Sequence, residues 1–124
     1  DPARGDVIVL KYPKDTRQYF IKRIIGLPGE TVRLENGKVI IVNLANPRGL
    51  VLAENYLPAE TPTLGKPGPI TLGSGEYFVL GDNRTASSDS RVWGILPKDD
   101  IVGRAWLRVF PFTGFGITKT PDYR

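Results

Sequence analysis

A lysine set among large apolar residues is the first feature of this sequence that could do chemistry. It lies in Tyr19-Phe20-Ile21-Lys22-Arg23-Ile24-Ile25-Gly26-Leu27-Pro28-Gly29-Glu30. Side chains alternate along a strand, so Phe20, Lys22 and Ile24 share one face while Ile21, Arg23 and Ile25 share the other. In water a lysine amine has a pKa of about 10.4 and stays protonated near neutral pH. Desolvation disfavours the ammonium form, and a lysine enclosed by apolar neighbours can then take a proton from a hydroxyl. The competing structural reading is an edge strand whose Lys22 extends its charge into water.

The second feature is Gly81-Asp82-Asn83-Arg84-Thr85-Ala86-Ser87-Ser88-Asp89-Ser90-Arg91, a run dense in hydrogen-bonding groups. If its second half is extended, Ser87, Asp89 and Arg91 fall on one face and Ser88 and Ser90 on the other. Asp89 could then pair with Arg91, and the Ser87 hydroxyl could bond a neighbouring amine. Gly, Asp, Asn and Ser are also what turns use, so a plain surface turn is the alternative.

Composition narrows the chemistry further. With no Cys and no His, the chain excludes disulfides, thiolate nucleophiles, Cys/His zinc sites and an internal Ser-His-Asp triad. Acid–base work falls to Lys, Asp, Glu, Tyr or a terminus. The net charge is +4, from 17 basic residues that form no run. That reads as a solvated basic surface, with weak attraction for anionic lipid or nucleic acid as the alternative. No apolar run reaches the roughly 18 residues that span a bilayer. The chain lacks Met and begins Asp1-Pro2-Ala3, so a processed or trimmed chain is expected.

The elements that must position these residues read as β-structure. Fourteen Gly and 11 Pro in 124 residues favour short elements joined by many turns, within one domain spanning 1–124. Strands are predicted at Asp6 to Lys11, Gln18 to Ile25, Thr31 to Glu35, Lys38 to Val42, Glu76 to Leu80 and Ile101 to Phe110. Tyr12 to Asp15 reads as a turn, and Asn36-Gly37 as a two-residue hairpin turn. Asn43 to Gly75 reads as an irregular Pro/Gly-rich excursion, with a short strand at Leu50 to Leu52. It is too apolar for a disordered linker and is expected to pack on the sheet. No stretch carries helical periodicity over three turns. The predicted fold is all-β, with bent antiparallel sheets around one core.

Taken in order, the motifs resemble those of bacterial type I signal peptidases. Lys22 to Glu30 resembles the family's lysine motif, and Gly81 to Arg91 its GDNR…SDSR motif. Gly103-Arg104-Ala105 falls where the family has a GRA strand, and Arg4 to Val9 resembles its RGD strand. The resemblance covers Arg4 to Pro111 and is weakest over Asn43 to Gly75. It implies a signal-peptidase-like β fold and a membrane-anchored serine endopeptidase with a Ser/Lys dyad, without metal or cofactor and with no nucleic-acid partner. Such an enzyme works on the extracytoplasmic face of the cell membrane. It removes signal peptides from exported preproteins after small residues.

Position by position, the resemblance makes Lys22 the general base and Ser87 the hydroxyl that orients its amine. It makes Asp89 and Arg91 a supporting ion pair, Asp82 the acidic residue near that pair, and Arg23 a structural arginine. Phe20 and Ile21 correspond to strand positions lining shallow substrate pockets. The family's nucleophile lies in an upstream Ser-x-Ser-Met-x-Pro-type box, which also supplies an oxyanion-hole N–H. Only Asp1, Pro2 and Ala3 precede the RGD strand here. The nucleophile is therefore expected outside this chain, and the chain is expected to be inactive alone. Ser74, Ser87, Ser88 and Ser90 do not occupy the nucleophile position, and Ser74 reads as a turn residue. Phe110 to Ile117 is aromatic and apolar, suited to packing on the sheet or to resting on a membrane surface. Conjugative-transfer peptidases and LexA-like repressors share the Ser/Lys logic. A noncatalytic β-barrel module binding nucleic acid or peptide is the reading from another class, and it leaves both motifs unexplained.

Overall fold

The computed structural model describes residues 1–58, 61–65 and 68–105. Strand β1 (Val7–Tyr12) turns back through Pro13-Lys14 into the long strand β2 (Asp15–Gly26), pairing Ile8 with Lys22 and Leu10 with Phe20. β2 starts three residues before the predicted Gln18. Its first residues are polar because that end of the hairpin runs past the core into solvent, where no apolar signal is needed.

The strands β3 (Thr31–Glu35) and β4 (Lys38–Val42) form the predicted hairpin. Asn36 and Gly37 both take positive φ, 52° and 76°, as a two-residue turn of this type requires. The excursion contributes two short strands, β5 (Leu50–Val51) against β4 and β6 (Ile70–Thr71) against β3. The second was not foreseen, since a two-residue strand leaves no periodicity to read. There follow β7 (Glu76–Leu80), a short helix α1 (Ser90–Trp93), β8 (Leu96–Pro97), one 3-10 turn (Lys98–Asp100) and β9 (Ile101–Arg104). The remainder of the strand predicted to reach Phe110, and the Phe110 to Ile117 segment, lie outside the described residues.

Two antiparallel sheets result, ordered β8-β7-β2-β1-β9 and β5-β4-β3-β6. The buried residues form two clusters in place of the single core expected. Ile24 and Val79 join Ile8, Leu10, Tyr77, Trp93 and Leu96 in one. Ile25, Phe78 and Leu80 join Val32, Val39, Ile41 and Leu72 in the other. The second half of β2 and most of β7 thus contribute to both clusters, one from each face. Burial on both faces is why these stretches read as unbroken apolar runs. The excursion packs as expected: Leu72 is buried, and Leu52 and Ile70 lie against the second cluster.

Gly26 packs against the second cluster. A Cβ there would come within 2.6 Å of Val32 Cγ2 and 2.8 Å of Leu72 Cδ1. Overpacking of this kind costs about 1–3 kcal/mol. Gly26→Ala should lower unfolding free energy by that amount in urea denaturation of the 124-residue chain, and a loss below about 0.5 kcal/mol would contradict this packing.

Candidate active site

Lys22 lies in β2 where the strand passes from solvent into the core. Its Nζ is 2.7 Å from Ser87 Oγ, so residues 65 positions apart in sequence meet by their side chains. The amine also lies 5.5 Å from the centroid of the Phe20 ring. Lys22 is half-buried, and this desolvation pulls its pKa below the ordinary lysine value; Asp89 pulls it up and Arg91 pushes it down, each less strongly.

Gly81 makes room for this contact. A Cβ on Gly81 would fall 1.8 Å from Ser87 Oγ and 3.3 Å from Lys22 Nζ. The glycine that opens the GDNR run is therefore demanded by the side chains packed over it.

Asp89 is fully buried and takes two hydrogen bonds from Arg91, Nε to Oδ1 at 2.9 Å and Nη2 to Oδ2 at 2.7 Å. The Gly81 N–H donates to Asp89 Oδ2 at 3.0 Å. Burial pushes the Asp89 carboxyl upward, but the bonds from Arg91 and Gly81 outweigh it and hold the pKa below the usual carboxylate value. The extended course considered for this segment is corrected by the structure. Asp89 is the N-cap of α1, with Oδ1 accepting the Arg91 N–H at 3.1 Å, and the chain turns helical at Ser90. An aspartate can cap a helix and hold an arginine of its first turn at once, which alternation along a strand cannot reveal. Ser90 is buried and its Oγ accepts the Val79 N–H at 2.9 Å. Ser74 sits in the turn before β7.

Asp82 was placed near the Asp89–Arg91 pair by resemblance. In the structure its partner is Arg23, through Nε to Oδ1 at 2.8 Å and Nη2 to Oδ2 at 2.5 Å. Arg23 points away from Lys22 by strand alternation and is buried; it also donates to the Gly5 carbonyl at 3.1 Å. Of the two proposed pocket residues, Phe20 is half-buried beside Lys22 and Ile21 is exposed on the opposite face.

The sequence reading missed three side chains around Arg84. Glu54, Tyr56 and Thr63 all come from the excursion and all contact its guanidinium. The available signal was Arg84 itself, since a buried arginine must find a carboxylate. Arg4 was quoted only for its motif, yet it pairs with Glu30 at 2.6 and 2.8 Å and ties the start of the chain to the turn after β2.

The Asp89–Arg91 pair yields a stability test. Removing Arg91 leaves a buried carboxylate unpaired, at a cost on the order of 3 kcal/mol. Because the folded-state pKa of Asp89 is lowered, the pair's contribution is present above the ordinary aspartate range and is lost as pH falls through the lowered value. Arg91→Ala should destabilise the chain by roughly 3 kcal/mol at pH 7, with the deficit shrinking in acid. A deficit under about 0.5 kcal/mol at pH 7 would mark the pair as a solvated contact.

Comparison with known proteins matches this arrangement to one family. The family model described as "Signal peptidase, peptidase S26" matches residues 1–110. Signal peptidase I of Leptolyngbya laminosa is 40% identical over 130 residues, covering 98% of this chain and 60% of the relative. Signal peptidase I P of Bacillus subtilis subsp. natto is 39% identical over 119 residues, covering 94% and 63%. The chain spans about half to three fifths of the curated relatives it matches first. A crystal structure of a signal peptidase I from Enterococcus faecalis V583 superposes with a TM-score of 0.69 at 30% identity, covering 86% of this chain and 97% of that one. A family match across most of the sequence, with the same strand architecture in a solved relative, decides the assignment: the chain belongs to the signal peptidase family, peptidase S26.

Proposed function

We propose that this chain is the lysine-bearing body of a serine endopeptidase that removes signal peptides from exported preproteins after small residues. The observation that carries the reading is the half-desolvated Lys22 amine 2.7 Å from Ser87 Oγ. In this reading Lys22 is the general base, and Ser87 orients its amine. The attacking serine comes from a segment outside residues 1–124, so the chain alone is inactive. No helix among the described residues is long and apolar enough to cross a membrane, and the proposed anchor likewise lies outside them. The catalytic region is assigned to the extracytoplasmic face of the membrane.

The chemistry is acyl transfer. Neutral Lys22 takes the serine proton as the serine oxygen bonds to the scissile carbonyl carbon. Collapse of the tetrahedral intermediate breaks the peptide bond, and the Lys22 ammonium returns its proton to the leaving amine. Lys22 then takes a proton from water, whose oxygen attacks the acyl-enzyme; collapse releases the carboxylic acid product, which ionises in solvent, and the Lys22 ammonium returns its proton to the departing serine oxygen, restoring both groups. Asp89 and Arg91 support the Ser87 loop from below, while Arg23 and Asp82 anchor β2 on its other face.

Register supports an extended substrate. β7 pairs with β2 only from Arg23 onward, through Arg23↔Leu80. Among the described residues no strand pairs with that edge of β2 ahead of Arg23, so an extended peptide could add there by backbone hydrogen bonds. Phe20 and Ile21 on that stretch would contact its side chains.

The tests use a peptide with Ala-x-Ala before the cut. The 124-residue chain should leave it intact, and the same chain extended by its native upstream segment should cleave it. In the extended protein Lys22→Ala should lower kcat by about 100- to 10,000-fold or more, and Lys22→Arg as well, because arginine keeps its proton. Ser87→Ala should impair cleavage less. The free amine is the active form, so activity should rise with pH through an apparent pKa below the ordinary lysine value. Full activity in Lys22→Ala, or efficient cleavage by the bare chain, would refute the proposal.

A further inference from the structure

Arg84 comes from the GDNR turn, and its guanidinium is completely buried. Glu54, from the excursion, meets it with two bonds, from Nη1 to Oε1 at 2.9 Å and from Nη2 to Oε2 at 2.6 Å. Thr63 Oγ1 accepts from Nη1 at 2.6 Å. Tyr56 donates its hydroxyl to Glu54 and lays its ring 4.1 Å from the Arg23 guanidinium carbon and 5.8 Å from that of Arg84. The excursion therefore grips the arginine that follows Lys22 in β2 and the arginine of the turn that leads to Ser87.

This grip reaches the site through one residue, Gly81. Arg84 Nε donates to the Gly81 carbonyl at 2.8 Å, while the Gly81 N–H is held by Asp89 at 3.0 Å. Gly81, fixed at both ends, is the surface against which Ser87 Oγ and Lys22 Nζ pack. A covering segment needs only apolar contacts, which Leu52, Ile70 and Leu72 already make. A buried ion pair instead carries the desolvation cost of two charges, and what it adds is a fixed geometry.

We propose that Glu54 is a positioning residue of the site: by holding Arg84 it fixes Gly81, and Gly81 sets the contact between Lys22 Nζ and Ser87 Oγ. The role assigned to Glu54 rests on the reading of Lys22 and Ser87 as the site, and it extends that reading to a segment in which no sequence motif was found.

The test is a titration of the Lys22 side chain by NMR in the 124-residue chain and in two variants. Glu54→Asp keeps the charge but is one methylene too short for the same two bonds. It should raise the Lys22 pKa toward the ordinary value by about half a unit or more, because a loosened Gly81–Ser87 wall admits water to the amine. The charged neighbours Asp89 and Arg91 are unchanged, so direct Coulomb effects are small. Tyr56→Phe keeps the ring over both guanidinium groups and removes the hydroxyl that donates to Glu54 and accepts from Arg84 Nη2 at 3.3 Å. It should shift the titration the same way by less, and it carries the test if Glu54→Asp does not fold. A lowered unfolding midpoint with the Lys22 titration unchanged would overturn the proposal and leave Glu54 a stabilising residue only. The titration does not depend on turnover. An unchanged Lys22 pKa therefore counts against Glu54 alone, whereas full activity in Lys22→Ala counts against the base assignment alone.

Discussion

A lysine is useful as a base only if it leaves water without acquiring a carboxylate that holds its proton. That constraint governs the region around Lys22. Burial lowers the pKa of the amine, and the nearest acidic influence is Asp89. Asp89 is committed elsewhere: it accepts two bonds from the Arg91 guanidinium, one from the Arg91 N–H and one from the Gly81 N–H. The Arg91 cation balances the Asp89 charge, so burial remains the strongest influence on Lys22. Ser87, a neutral hydroxyl, makes the close contact in place of a carboxylate.

β2 is built to serve both sides of this requirement. Its second half is buried between β7 and β1 and anchors the fold, with Arg23 locked to Asp82 and Gly5. Its first half is exposed and carries Tyr19 and Ile21 into solvent. Lys22 falls at the boundary, close enough to the core to be desolvated and next to the open half, where we propose that the peptide adds. The GDNR turn then closes over Lys22 through Gly81, whose missing side chain is the space Ser87 occupies.

Much of this was legible in the sequence, for reasons that can be named. Alternation placed Lys22 and Arg23 on opposite faces, and Asn36-Gly37 marked its hairpin through the positive φ both residues adopt. Asp89 and Arg91 pair through a helix cap and not along an extended strand, while Ser87 meets Lys22. The pairing of Asp82 with Arg23 was not stated by the motif, because it joins residues 59 positions apart that only the folded chain brings together. The excursion was the least legible part. Its contacts to Arg84 come from single side chains spaced irregularly between prolines, so neither period nor turn chemistry points to Glu54 or Tyr56. The two-cluster core escaped for a related reason, since an apolar run does not say how many layers will share it.

The central claim is that the fold depresses the basicity of Lys22. The most direct measurement is the pKa of its side-chain amine, read by NMR in the folded chain and compared with the other lysines of the same protein. The account predicts a Lys22 value clearly below the ordinary lysine value of about 10.4. A Lys22 value at or above that of the exposed lysines would contradict it.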